Sequence, residues 1–70
     1  MAEMIFVDSS NIEAIGYDDG AQELHVRFLT GETYVYSGVP REVFDAMMNA
    51  PSKGSFLNRE VKGVYVYSKQ

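Results

Sequence analysis

The 70-residue chain has no cysteine and no tryptophan, one histidine and two prolines. Without cysteine, neither a disulfide nor a thiolate zinc site can brace so small a fold, and the composition fits a reducing compartment. With His25 as the one imidazole, a catalytic triad or a histidine-rich metal site cannot be built in any usual form. No apolar run approaches the roughly 20 residues of a membrane helix. Met1–Val7 lacks the basic start and long apolar core of a signal peptide. No glycine-rich dinucleotide fingerprint leads from a strand into a helix. We therefore expect no catalytic residue, no metal, no cofactor, no membrane partner and a cytoplasmic location of bacterial type.

Positive charge is scarce in the first half. Residues 1–40 hold one base, Arg27, against seven acids. Residues 41–70 hold five bases (Arg41, Lys53, Arg59, Lys62, Lys69) against three acids. The net charge of −4 argues against general attraction to nucleic acid, yet an acidic chain can still present one basic face. Ordinary solvated surface charge is the competing reading. A domain this small buries only about 60% of its unfolded surface. Four phenylalanines and five tyrosines supply large burial per residue, and self-association would enlarge the core further.

The hairpin Leu24–Ser37 organises the chain. Leu24, Val26 and Phe28 alternate with Glu23, His25 and Arg27, the period of a half-buried strand. Thr30-Gly31 turns it, and Thr33-Tyr34-Val35-Tyr36 returns with β-branched and aromatic residues. Two registers are open. A two-residue loop pairs Phe28 with Thr33 and puts Tyr34 and Tyr36 beside His25 and Arg27, an exposed stacking platform for bases. A three-residue loop with Gly31 left-handed shifts the pairing by one. The tyrosines then join Leu24, Val26 and Phe28 on the core face. This separates apolar from polar faces, so it is the expected register.

Around the hairpin, Met1–Val7 reads as a first strand or an ordered lead-in, Ile12–Tyr17 as a strand, and Asp18-Asp19-Gly20 as a turn. Pro40 fits the first position of a helix ending near Ala50, before Pro51. Val43, Phe44, Met47 and Met48 share one side of it. Ser52 can cap a second helix over Lys53–Val61. Its start, with Lys53 and Gly54, reads as a plain cap with a surface lysine or as a seat for an anion. It is not a P-loop, whose glycine spacing is absent. Arg59 and Lys62 are three apart, on adjacent rows of that helix. Val64-Tyr65-Val66-Tyr67-Ser68 echoes Thr33–Ser37 and reads as an edge strand, a strand exchanged with a second copy, or a frayed end; pairing is the expectation.

Asp8-Ser9-Ser10-Asn11-Ile12, Ile15-Gly16-Tyr17, Leu24–Phe28, Gly31, Tyr34-Val35-Tyr36, Val39-Pro40, Pro51-Ser52-Lys53-Gly54, Phe56 and Asn58 occur in an order that resembles the KTSC domain. This short bacterial module is named after the C-terminal extension of some lysyl-tRNA synthetases. The resemblance spans Val7–Tyr65, leaving 66–70 as a tail of a single domain. It implies a small antiparallel sheet followed by helices, in keeping with the strands and helices read above, so the expected class is α+β: three or four strands, two short helices and an optional C-terminal strand. Attachment to a synthetase implies nucleic-acid binding. The expectation is a non-catalytic module binding RNA, or DNA, through Arg41, Lys53, Gly54, Arg59 and Lys62, with Tyr34 and Tyr36 stacking under the two-residue register. The alternative is a homodimer or protein-docking module.

Overall fold

A computed structural model describes residues 3–70; Met1 and Ala2, the start of the expected lead-in, lie outside the described residues. Five strands form one antiparallel sheet in chain order: β1 (Ile5–Phe6), β2 (Ile12–Asp18), β3 (Glu23–Phe28), β4 (Thr33–Ser37) and β5 (Tyr67–Lys69). Between β4 and β5 lie α1 (Arg41–Met48), α2 (Lys53–Phe56) and a π-helical turn, Leu57–Val61. The class is α+β, and the C-terminal strand is the fifth member of the sheet.

The three-residue hairpin is the one formed. Leu24 pairs with Tyr36, Val26 with Tyr34 and Arg27 with Thr33. Phe28 N–H donates to Glu32 O at 2.8 Å and Gly31 N–H to Phe28 O at 2.9 Å, with Gly31 at φ 96°. An exposed platform of Tyr34 and Tyr36 beside His25 and Arg27 is therefore excluded. The tyrosines instead lie on the face of Leu24 and Val26, and Tyr36 is 1% exposed. Burial pushes its hydroxyl above the ordinary 10.0, with the Tyr34 and Tyr67 phenols adding to the shift.

A second irregularity serves the same face. Ile12 pairs with Phe28 but Ala14 pairs with Arg27, so β2 carries one extra residue at Glu13. A strand alternates sides every residue, and an odd separation would set Ile12 and Ile15 on opposite faces. The bulge brings both inward. With Leu24, Val26, Tyr36, Val39, Phe44, Met47, Phe56, Leu57 and Val61 they form the buried cluster between sheet and helices. Each such side chain contributes about 1.5–3 kcal/mol by leaving water. Arg27 Nε donates to Glu13 Oε1 at 3.2 Å, across strands paired on the face away from the helices.

The helices depart from expectation in two ways. Pro40 is the N-cap rather than the first helical residue; its ψ of 152° is still extended, and α1 begins at Arg41. Val39 is held from both sides, its N–H donating to Gln22 O at 2.9 Å and its carbonyl accepting from the Tyr17 hydroxyl, so helical geometry starts beyond the pinned residue. The second helix does start at Lys53, with Ser55 N–H donating to Ser52 Oγ at 3.3 Å. Its latter half widens, however, and Lys62 N–H donates five residues back to Leu57 O at 2.8 Å. Leu57 and Val61, four apart on one side of the helix, are both buried.

Gly31→Ala is expected to lower the unfolding free energy by about 1–2 kcal/mol, because an L-residue resists that φ. Gly20→Ala, with no positive φ and only an ordinary 3.5 Å neighbour, should change it little. Urea denaturation of both variants checks the pair.

Candidate binding groove

Tyr34 and Tyr67 lie near the margin of the helical layer. Strand β5 pairs with β4 so that Tyr67 stands opposite Tyr36 and Lys69 opposite Tyr34. The rings meet in a row. Phe28 and Tyr34 are edge to face at 5.5 Å, Tyr34 and Tyr67 stack at 5.3 Å, and Tyr36 and Tyr67 are tilted at 5.7 Å. Beside this row are two clefts of about 330 and 310 Å³ that share Tyr34 and Lys62. Asn11, Phe28, Thr30 and Glu32 complete the first; Tyr36, Gly63 and Tyr67 complete the second. Lys62 reaches the groove because the π-turn ends there: its own backbone is extended, and Nζ lies 5.9 Å from the Phe28 ring centroid.

The other expected cations go elsewhere. Arg41 Nη1 donates to Asp19 Oδ2 at 2.7 Å and Nε to Asp45 Oδ1 at 3.4 Å. These carboxylates, Asp19 foremost, hold its pKa above the usual arginine value. Asp19 follows β2 whereas Asn11 precedes it, so Arg41 and Lys62 sit at opposite ends of the sheet. Arg59 pairs with Glu60 at 3.1 Å and lies over the Phe56 ring at 5.9 Å. Lys53 Nζ donates to Ala50 O at 2.9 Å. Lys69 pairs with Glu32, which raises its pKa. Among the described residues, Lys62 is the one expected cation lining the groove. Such exposed ion pairs add little to stability, but they locally cancel the charge a phosphate would seek.

Gly54 also has a different neighbour. A Cβ there would lie 2.7 Å from Asn11 Oδ1. The close approach that glycine permits is thus made by the Asn11 side chain, which lines the first cleft. Ser9 Oγ donates to Asn11 Oδ1 at 3.1 Å, and Leu29 N–H donates to Asn11 O at 3.0 Å, tying the loop before β2 to the hairpin turn.

Asn11, Phe28, Thr30, Glu32 and Tyr67 were not singled out from the sequence as site residues. For Phe28 the signal was the expected register, which sets it beside Tyr34. For Tyr67 it was the echo of the Tyr-Val-Tyr-Ser stretch, of which only Tyr67 and Ser68 join β5. Nothing local marks Asn11 or Thr30. Among the described residues no three His, Cys, Asp or Glu side chains are grouped to hold a metal ion, and no helix is long and apolar enough to cross a membrane.

The sequence model of the KTSC domain matches residues 8–65. A protein of Tsukamurella paurometabola is 54% identical over 56 residues, 80% of this chain and 84% of the relative. The lysine–tRNA ligase of a Nostoc species is 36% identical over 62 residues, 89% of this chain but 11% of the ligase. The crystal structure of a KTSC domain protein from Yersinia pestis superposes with a TM-score of 0.94 at 37% identity, covering 100% of this chain and 99% of that one.

Gly54→Ala is expected to leave stability within about 1 kcal/mol of wild type, since the helix-propensity gain of roughly that size offsets displacement of an exposed side chain. The Asn11 side-chain amide resonances should nevertheless shift well beyond those of distant asparagines in an ¹H–¹⁵N spectrum.

Proposed function

The chain belongs to the KTSC domain family, and we propose that it is a non-catalytic module that holds a short single-stranded RNA segment in the Phe28–Tyr34–Tyr67 groove. The observation that carries this reading is the aromatic row with Lys62 beside it. Bases stack on aromatic rings whatever their sequence, and a nearby cation meets the backbone that joins them. A ligase that carries a similar segment supports RNA over DNA by association. The net charge of −4 and the paired arginines leave stacking as the main source of affinity.

This differs from binding by a basic half of the chain, and salt separates the two. Each phosphate contact adds about 0.7 to the logarithmic salt slope for a single strand. Fluorescence anisotropy with a labelled mixed-sequence RNA is expected to give a slope near one contact, removed by Lys62→Ala and untouched by Arg41→Ala. Tyr34→Ala should weaken binding by about 1–3 kcal/mol, the range for one lost stacking partner. A slope of several contacts, or affinity indifferent to Tyr34, would refute the groove.

A second reading, a homodimer, draws on the outer edge of β5. Beta-4 covers one side of that strand, while Val64 and Val66 beside it are 63% and 75% exposed. An open edge flanked by apolar side chains is a template for another strand. Sedimentation over a wide concentration range is expected to show a dimer that Val66→Lys abolishes; a monomer throughout removes this reading.

A further inference from the structure

The first cleft is more polar than a plain stacking surface needs to be. Beside Phe28 and Tyr34 it presents a carboxylate, Glu32, and a carboxamide, Asn11. We propose that this cleft selects guanine, an inference that rests on the RNA reading above and adds base specificity to it.

The selection follows from which hydrogens each base offers. A carboxylate only accepts, and its two oxygens suit two adjacent N–H donors. On their pairing edges, guanine alone among the four RNA bases has such a pair, N1–H and N2–H, with O6 next to them. Adenine and cytosine turn a ring-nitrogen lone pair toward the same position. Uracil offers one N–H between two carbonyls, which repel the carboxylate on both sides.

Glu32 is placed and fixed for this role. It pairs across the hairpin with Phe28, so it belongs to the same end of the sheet as the stacking rings. Lys69 Nζ contacts its Oε2, which holds the carboxylate while leaving lone pairs on both oxygens. Asn11 supplies the complement. Its Oδ1 accepts from Ser9 Oγ at 3.1 Å, which leaves Nδ2 to donate to O6. Gly54 makes the room in which that amide sits. Lys62, at the junction of the two clefts, remains for the phosphate.

The test uses three single-stranded RNAs, otherwise all uridine, with guanosine, adenosine or inosine at the centre, titrated against the wild-type chain and Glu32→Gln. The wild type is expected to bind the guanosine strand about tenfold or more tightly than the adenosine strand, the scale of a charge-assisted hydrogen bond replaced by a repulsive contact. Inosine, which keeps N1–H and O6 but lacks the amino group, should fall between. Glu32→Gln should level the guanosine and adenosine affinities, and any change in salt slope from the freed Lys69 should be the same for both strands. Glu32 is a surface residue whose ion pair contributes little to folding, so the variant stays folded. Equal wild-type affinity for guanosine and adenosine, with Tyr34→Ala still weakening both, overturns guanine selection and leaves the stacking reading standing. No binding of any strand overturns both.

Discussion

The register between β3 and β4 is the constraint on which the remaining structure depends. Three hairpin residues, with Gly31 left-handed, put Phe28, Tyr34 and Tyr36 on one face with Leu24 and Val26. One residue fewer would turn both tyrosines to the other side of the sheet. The helices would then lack Tyr36 as a packing surface, and the aromatic row with Tyr67 would not exist. The bulge at Glu13 repeats the device in β2, where it recovers Ile12 for the core. Two single-residue irregularities thus give a short sheet one continuous apolar face. A domain with little interior to spare needs that economy of placement.

The same face has two fates along its length. Under α1 and the π-turn it is sealed, with Leu24, Val26, Ile15 and Met47 fully buried. At the Phe28–Tyr34–Tyr67 margin the cover stops, because the π-turn ends and the chain leaves through Lys62 and Gly63 toward β5. Aromatic rings suit such a margin, since they bury one face or edge while the other stays wet. The groove is therefore a by-product of how the core is closed, with polar groups from the flanking loops set around it.

Charge has been spent locally. Arg27 with Glu13, Arg41 with Asp19 and Asp45, Arg59 with Glu60 and Lys69 with Glu32 are all side-chain pairs within one small surface. None stabilises the fold much, but together they break up any broad basic field. What positive charge remains on this surface acts at short range.

Read alone, the sequence determined the order of the three central strands and two helices, the turn at Gly31, the cap at Ser52 and the likeness to the KTSC domain, and left the first and last strands open. These are local properties: a period of two or of 3.6, a glycine where φ turns positive, a hydroxyl one turn before a free N–H. It also pointed to the preferred hairpin register, because burial of one face is a strong enough criterion to choose between two pairings. Tertiary structure alone decided the rest. Arg59 and Lys62 are close in a regular helix, but the π-turn directs them to different rings, Phe56 and Phe28. Arg41 met Asp19 from a turn 22 residues earlier. Gly54 met Asn11 across the chain. Phe28, Asp19 and Asn11 are distant in sequence from the residues they meet, and those meetings depend on a packing that no local pattern encodes.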